Sequence, residues 1–258
     1  MSDEKSLVFY EQPLNERVRS FLRLDFLFRQ AAHTLGGESR WDSRATLGSI
    51  VDILEVLART DLKTELLKEL ERHQTVLARL RRSAAVDQQR LESILERLAG
   101  YQEQLHADMR ALGQDLKDHE FLASIRQRAT VPGGSCDFDL PSYHHWLQQP
   151  PQVREAELRT WLETLEGVRA PVELLVRLIR ESSSPTEEMA EAGFFQRSLD
   201  PSGGFQLIRV GLPRDAHYFA EISAGKHRFT VRFLEPQGAD RPRPVAEGVP
   251  FRLCCCAI

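Results

Sequence analysis

The spacing of apolar residues changes once along the chain, near residue 194, and this change limits the folds that the chain can adopt. Before this point apolar residues recur every three or four positions, which is the period of a helix with one buried face. Beyond it they alternate with polar residues, which is the period of a strand. The order predicts an α+β fold: a mainly helical domain with a long helical hairpin, then an antiparallel β domain.

The hairpin is the clearest helical feature. Asp61 suits an N-cap position, and the residues after it follow steps of four and three, the spacing of a helix–helix seam: Leu66, Leu70, His73, Leu77 and Leu80. The spacing stops near Ser83 and resumes from Leu91 to Leu105, which predicts two antiparallel helices. Because His73 is in register with the leucines, we interpret it as a seam residue rather than a ligand or a base.

We place the helical domain at residues 13–190 and the β domain at residues 194–258. Apolar alternation at residues 6–12 predicts an N-terminal strand that joins the β domain. A shorter alternation near residues 135–140 predicts a strand that the helical domain contributes to the same sheet. Residues 235–248 are rich in Pro and Gly and are predicted to form a long hairpin loop or a mobile tip.

Charge and hydropathy exclude several classes of protein. The 34 Lys and Arg against 38 Asp and Glu give a net charge of −4, which excludes nucleic-acid binding through overall positive charge. Any anion site must therefore be a local basic patch. The longest apolar runs fall far below the roughly 18 residues of a membrane span, so we expect a cytoplasmic protein without a membrane partner.

Neither a metal nor a cofactor is expected. Three of the four cysteines are adjacent at 254–256, which is not a disulfide framework, and no CxxC pair is present. The final Cys255-Cys256-Ala257-Ile258 matches a loose prenylation box, but no polybasic stretch precedes it, and we interpret it as the end of a strand.

No nucleophile elbow, P-loop or HExxH motif is present, and we predict no catalytic residue. One enzymatic alternative stays open, in which His144 acts with Asp137 or Asp139 next to the glycine turn at 132–134. A phosphate cradle would need a helix directly after the glycines, whereas two aspartates follow here. We favour a surface contact for His144.

The strongest functional signal is the strand predicted in "AGKHRFTVRF" at 224–233. Alternation places Lys226, Arg228 and Arg232 on one face, and His227, Phe229, Val231 and Phe233 on the other. Three cations on one face repel each other, which favours an anionic partner as the reason for them. A solvated sheet face is the simpler alternative, and a nucleic-acid module using the same arginines is another.

Four sequence blocks add a resemblance to these patterns: "PLNERVRSFLRLDFL" near the N terminus, "LKTELLKELERHQ" at 62–74, "IRQRATVPGGSCDFDLPSYHHWL" at 125–147 and "ISAGKHRFTVRF" at 222–233. With these blocks, spread over nearly the whole chain, the sequence resembles the ZapD family. The resemblance implies a helical domain plus a β domain, a symmetric homodimer, and binding to the C-terminal peptide of FtsZ. It also implies a non-enzymatic protein that cross-links FtsZ filaments and bundles the Z ring at midcell.

The resemblance also implies site residues. It places the basic groove for the FtsZ peptide on Arg59, Arg228 and Arg232, and Lys226 is added by the strand-face argument above. It places charged contacts used in bundling on Arg23 and His144. The expected partner is FtsZ, with no nucleic acid.

Overall fold

The computed structural model describes residues 6–59, 61–225 and 227–258, without the side chain of Arg59. The helices are α1 (Glu16–Leu35), α2 (Arg40–Arg59), α3 (Leu62–Ala78), α4 (Gln88–Ala107), α5 (Gln114–Lys117), α6 (Glu120–Arg128), α7 (Pro141–Leu147), α8 (Pro151–Thr164) and α9 (Glu166–Glu181). The strands are β1 (Leu7–Pro13), β2 (Thr186–Ala190), β3 (Phe194–Ser198), β4 (Phe205–Pro213), β5 (Phe219–Ala224), β6 (Arg228–Gln237), β7 (Asp240–Pro244) and β8 (Val249–Ala257). The predicted α+β class is confirmed.

The chain divides into two compact units. The β unit consists of the N-terminal residues up to Arg19 together with Val176–Ile258, and the helical unit consists of Ser20–Leu175. The domain limits proposed at residues 190 and 194 stay a prediction. No helix in the described part of the chain combines the length and the apolar character needed to cross a membrane.

Two antiparallel sheets share one apolar core in the β unit. The first has the strand order β1-β4-β8-β2, and the second has the order β3-β6-β5 with β7 paired to β6. Inward side chains of both sheets meet in this core, and the following are fully buried: Ile208, Val210, Phe229, Val231 and Phe233. Each such side chain contributes about 1.5–3 kcal/mol relative to exposure, so the core fixes which face of each strand points inward.

The N-terminal strand β1 is held by backbone pairing and by an ionic cluster. It pairs antiparallel with β4 along Leu7–Pro13, which confirms the predicted N-terminal strand. Glu11 accepts hydrogen bonds from Arg180 at 2.9 and 2.8 Å and from Arg209 at 2.9 Å. Burial favours a higher pKa for Glu11, but the hydrogen bonds and charges of the two guanidinium groups outweigh it and lower the pKa.

Helices α3 and α4 form the antiparallel hairpin that the sequence predicts. Lys63 near the start of α3 donates to the backbone oxygen of Asp108 just after α4. Arg81, just after α3, binds Glu92 near the start of α4 at 2.8 Å. His73 is fully buried, as expected of a seam residue, and its Nδ1 lies 2.8 Å from a backbone oxygen one turn earlier.

A buried arginine joins three segments of the helical unit. Arg154 in α8 is 3% exposed and donates to the Ser43 hydroxyl at 2.9 Å and the Glu38 backbone oxygen at 2.8 Å. It also donates to the backbone oxygens of Leu147 and Gln149, at the end of α7. Because a buried guanidinium must have its N–H groups satisfied, this side chain fixes the start of α2 relative to α7.

The strand predicted near residues 135–140 is wrong. Successive turns occupy this segment, with the Cys136 N–H donating to Gly133 at 3.0 Å and the Leu140 N–H donating to Cys136 at 3.0 Å. Gly133, two residues before this segment, has a φ of 71°, a left-handed conformation that begins the series of turns. Phe138 is 80% exposed, so the apolar alternation here does not correspond to a buried face.

Replacing Glu11 by glutamine should destabilise the β unit at neutral pH by roughly 1–3 kcal/mol, because Arg180 and Arg209 lose their counter-charge. The folded-state pKa of Glu11 lies below the usual 4.5, so its contribution is present above that pH and is lost as the pH falls through the folded pKa. In urea unfolding, the difference from wild type should therefore shrink between neutral pH and about pH 3. Glu187→Gln is the control, since that side chain is 86% exposed. A difference that persists undiminished at low pH would contradict this account.

Replacing Arg154 by methionine should destabilise the helical unit by roughly 2–4 kcal/mol, because its buried backbone acceptors lose their donors. Urea unfolding followed by circular dichroism measures the loss, and amide hydrogen exchange should quicken at the end of α7. Arg159→Met on the same helix is the matched control, since Arg159 is 56% exposed and pairs with Glu155 one turn away. It should change stability by less than about 0.5 kcal/mol. Equal stability of the two variants would refute the assignment.

Candidate functional site

Strand β6 carries the two arginines that the sequence analysis selected. Its three apolar residues between 229 and 233 are fully buried, and Arg228 and Arg232 are exposed on the opposite face. The predicted alternation is confirmed by burial from Arg228 to Phe233, and it is wrong at His227. That residue is exposed in the turn before β6, because the strand begins at Arg228.

Side chains of β3 and β5 extend this exposed face on both sides of β6. In the β3 pairing Ser198 lies opposite Arg228, and Phe194 lies opposite Arg232. In the β5 pairing Glu221 lies opposite Arg232. Directly opposed residues on neighbouring strands have their Cβ atoms about 4.5–5.5 Å apart. The face therefore combines two guanidinium groups, a small polar residue, one phenylalanine and one carboxylate.

The two arginines of this face are not held by other side chains of the described residues. Among the residues that the structure describes, neither Arg228 nor Arg232 has an ion-pair or side-chain hydrogen-bond partner, and this includes Glu221. Arg209, by contrast, lies in the same unit and is bonded to Glu11. Exposed guanidinium groups with available N–H donors bind carboxylates through two parallel hydrogen bonds. The face can therefore hold an anionic partner without breaking an existing contact.

The side chains of the other two residues predicted for the binding site, Arg59 and Lys226, are not described. Arg59 is the last residue of α2, but its side chain lies outside the description. Lys226, before β6, lies outside the described residues. Their place in the site stays a prediction.

Arg23 and His144, predicted to act in bundling, are both exposed. Arg23 lies on α1, with Phe26, 59% exposed, one turn further along. His144 lies on α7 beside Tyr143, whose pKa is raised to about 12 by burial, with Arg44 opposing part of the rise. Within the described part of the chain, no hydrogen bond, ion pair or ring contact joins Arg23 to His144. Their roles stay a prediction.

The enzymatic alternative at His144 has no supporting contact in the structure. The Asp137 carboxylate accepts a hydrogen bond from the next backbone N–H at 3.0 Å, and Asp139 lies 3.7 Å from Arg128. Over the described ranges, no hydrogen bond or ion pair links either aspartate to His144. No three or more His, Cys, Asp or Glu side chains among the described residues are grouped as metal ligands would be.

Sequence reasoning missed β7, which adds a wall to the exposed face. The segment 235–248 was expected to be a loop or a tip, but β6 continues to Gln237 and Asp240–Pro244 pairs with it. The two strands are joined by a two-residue turn in which Gly238 has a φ of 61°. Gly238 is the sequence feature that could have predicted a hairpin turn here. The two prolines of β7 argued against a strand after it, although edge strands accept proline. The strand brings Arg241 to the same face as Arg232.

Comparisons with known proteins find relatives over nearly the full length of the chain. The family model of ZapD, a cell division protein, matches residues 22–232. The cell division protein ZapD of Methylococcus capsulatus is 41% identical over 254 residues, which cover 98% of this chain and 100% of that protein. The ZapD proteins of Aromatoleum aromaticum and of Azoarcus sp. are 36% and 37% identical over 252 residues, which cover 98% of this chain and 98% and 100% of theirs. The matched region contains both exposed arginines of β6, and the chain belongs to the ZapD family of cell division proteins.

Proposed function

We propose that the protein is a non-enzymatic, cytoplasmic factor that binds the C-terminal tail of FtsZ and, as a homodimer, cross-links FtsZ filaments at the midcell division site. The tail binds the exposed face of β6 through Arg228 and Arg232, with Lys226 and Arg59 as further contacts. Membership of a family of cell division proteins supports a role in division. The choice of partner rests on the resemblance and on the chemistry of this face.

The observation that carries the proposal is the pair of exposed arginines on one face of β6, which have no ion-pair or side-chain hydrogen-bond partner among the described residues. The Cα atoms of the two arginines, four residues apart on a strand, are separated by about 13 Å. An extended peptide can place two of its own carboxylates at the same spacing. The buried opposite face of the strand holds both Cα positions fixed, so binding orders only the arginine side chains and the peptide. The chain as a whole has a net charge of −4, and attraction to an acidic tail is therefore local to this face.

Binding at one such face is weak, and cross-linking depends on there being two. A short flexible peptide held by arginine contacts binds with a Kd of micromolar to tens of micromolar, or about 7 to 8 kcal/mol. A homodimer presents two faces, and a filament displays many tails. A dimer that releases one tail rebinds nearby or reaches a second filament, so that avidity replaces single-site strength. Arg23 and His144, exposed on the helical unit, add charged contacts between the dimer and the bundled filaments.

Reversing the charge of both arginines of the face should abolish tail-dependent binding. We expect Arg228→Glu with Arg232→Glu to weaken the binding of full-length FtsZ at least about tenfold, because two charge-assisted hydrogen-bond sites are lost. Co-sedimentation with FtsZ filaments measures this, with tailless FtsZ as the comparison. The double variant should pellet no better with full-length FtsZ than wild type does with tailless FtsZ.

The matched control for this experiment is Arg177→Glu with Arg214→Glu, which makes the same charge change at two exposed positions of the β unit away from β6. It should pellet as wild type does. Wild type that pellets equally with tailless FtsZ would reject tail binding altogether. Undiminished bundling by the β6 double variant would reject the face while leaving the partner in place.

Binding of the tail should weaken severalfold when ionic strength rises from about 50 to 200 mM, because exposed charge pairs are screened over about 10 Å at 0.1 M salt. Fluorescence anisotropy of a labelled FtsZ tail peptide measures the change, and the β6 double variant should show little of it. Salt-sensitive binding of wild type to DNA, with none to the peptide, would favour the nucleic-acid alternative instead.

Analytical ultracentrifugation of the protein alone tests the homodimer.

A further inference from the structure

The exposed face of β6 contains a shallow groove next to Arg232. The groove has a volume of about 610 Å³ and is lined by residues of β3, β5, β6 and β7 and by the turn before β3. The side chains that give it its character are Phe194, Arg232, Leu234, Arg241, Pro242 and Pro244. Four of these six are apolar and two carry guanidinium groups. We call this feature the β3–β7 groove; Arg228 does not line it.

The groove exists because β6 changes partners along its length. It pairs with β3 up to Arg232 and with β7 from Leu234 onward. At the change, the Phe233 N–H donates to Gly193 at 2.8 Å, and the Phe233 backbone oxygen accepts from Val245 at 3.0 Å. Gly193 has a φ of 67°, and a Cβ there would lie 2.4 Å from the Val245 oxygen. The glycine therefore lets the ends of β3 and β7 approach each other across the face.

The groove lining carries more positive than negative charge. Within the described residues, neither Arg232 nor Arg241 has an ion-pair or side-chain hydrogen-bond partner. Glu221 is the one acidic side chain of the lining, and it lies opposite Arg232 across the β5–β6 pair. An anion in the groove is therefore repelled on the β5 side and attracted toward Arg241 on β7.

The apolar part of the groove is also partly open to solvent. Phe194 is 44% exposed, and proline rings of β7 lie beside it. An aromatic ring and proline rings without N–H donors offer contact to an apolar side chain and no further hydrogen-bond donors to a phosphate backbone. A groove of this chemistry, on the same strand as Arg228, fits a peptide better than a nucleic acid.

We propose that the β3–β7 groove recognises a specific part of the bound FtsZ tail: it takes one apolar side chain of the peptide against Phe194, while Arg241 together with Arg232 binds a neighbouring carboxylate. This inference rests on the proposed function and adds two recognition residues to it, Phe194 and Arg241. Tail binding then depends on an apolar residue next to an acidic one, and not on negative charge alone.

The test uses the full-length protein and a fluorescein-labelled synthetic peptide of the FtsZ C-terminal tail, with anisotropy as the readout. Phe194→Ala should raise Kd about fivefold through lost apolar contact, and Arg241→Gln about tenfold through a lost charged hydrogen bond. Arg243→Gln is the matched control, because Arg243 is exposed on the same strand but does not line the groove. It should stay within about twofold of wild type.

Two altered peptides separate recognition from a general effect on the fold. In one, the acidic residues are replaced by their amides, and in the other the large apolar residues are replaced by serine. Arg241→Gln should lose its effect on the amide peptide, and Phe194→Ala should lose its effect on the serine peptide, since each pair of changes removes the same contact. Unaltered thermal unfolding of both variants shows that the fold is intact.

Failure of the inference and failure of the proposed function give different results. If Phe194→Ala and Arg241→Gln bind the native peptide as wild type does, while the Arg228 and Arg232 double variant binds weakly, the groove is not used and the proposed function stands. Equal losses with all three peptides also overturn the groove assignment. If wild type does not bind the native peptide at all, both proposals fall.

Discussion

Burial of the inner face of β6 is the constraint on which the rest of the β unit depends. Phe229, Val231 and Phe233 have no exposed surface, and they fill the space between the two sheets. Because a shift of one residue would move all three into water, the register of β6 is strongly specified. The arginines between and beside them are consequently directed outward, and their exposure follows from the packing of the core.

Both ends of the chain contribute to this core, and an ionic cluster fixes the join. β1 pairs with β4, which lies in the last quarter of the chain, so the pairing is non-local and its formation costs chain entropy. Glu11 offsets part of that cost by binding Arg180 of α9 and Arg209 of β4 together. The arginines of the β unit thus include some that are bonded within the fold, such as Arg180 and Arg209, and others, such as Arg228 and Arg232, that are exposed on the face of β6.

Under the proposed function, a face of this kind suits a protein that holds filaments without locking them. Two exposed guanidinium groups on a chain with a net charge of −4 give local attraction to an acidic peptide against a weakly repulsive background. Charge alone discriminates poorly between acidic partners, because exposed ion pairs are weak and screened. In the proposed recognition, the apolar groove beside the charges would add selectivity that charge cannot give, since burying the wrong side chain there would leave either a void or an unsatisfied polar group.

The sequence by itself determined the α+β class, the α3–α4 hairpin, the N-terminal strand and the outward direction of Arg228 and Arg232, because each follows from a local hydrophobic period that burial must satisfy. It failed at the segment 135–140, where six residues are too few to separate a strand from a series of turns around Gly133. It also failed at β7, because a proline-rich strand is recognisable only from the neighbour it pairs with. Tertiary structure alone decided that Phe194 and Arg241 share a groove with Arg232. Residues that distant in sequence meet only through strand pairing, and strand pairing is set by the whole core and not by any local pattern.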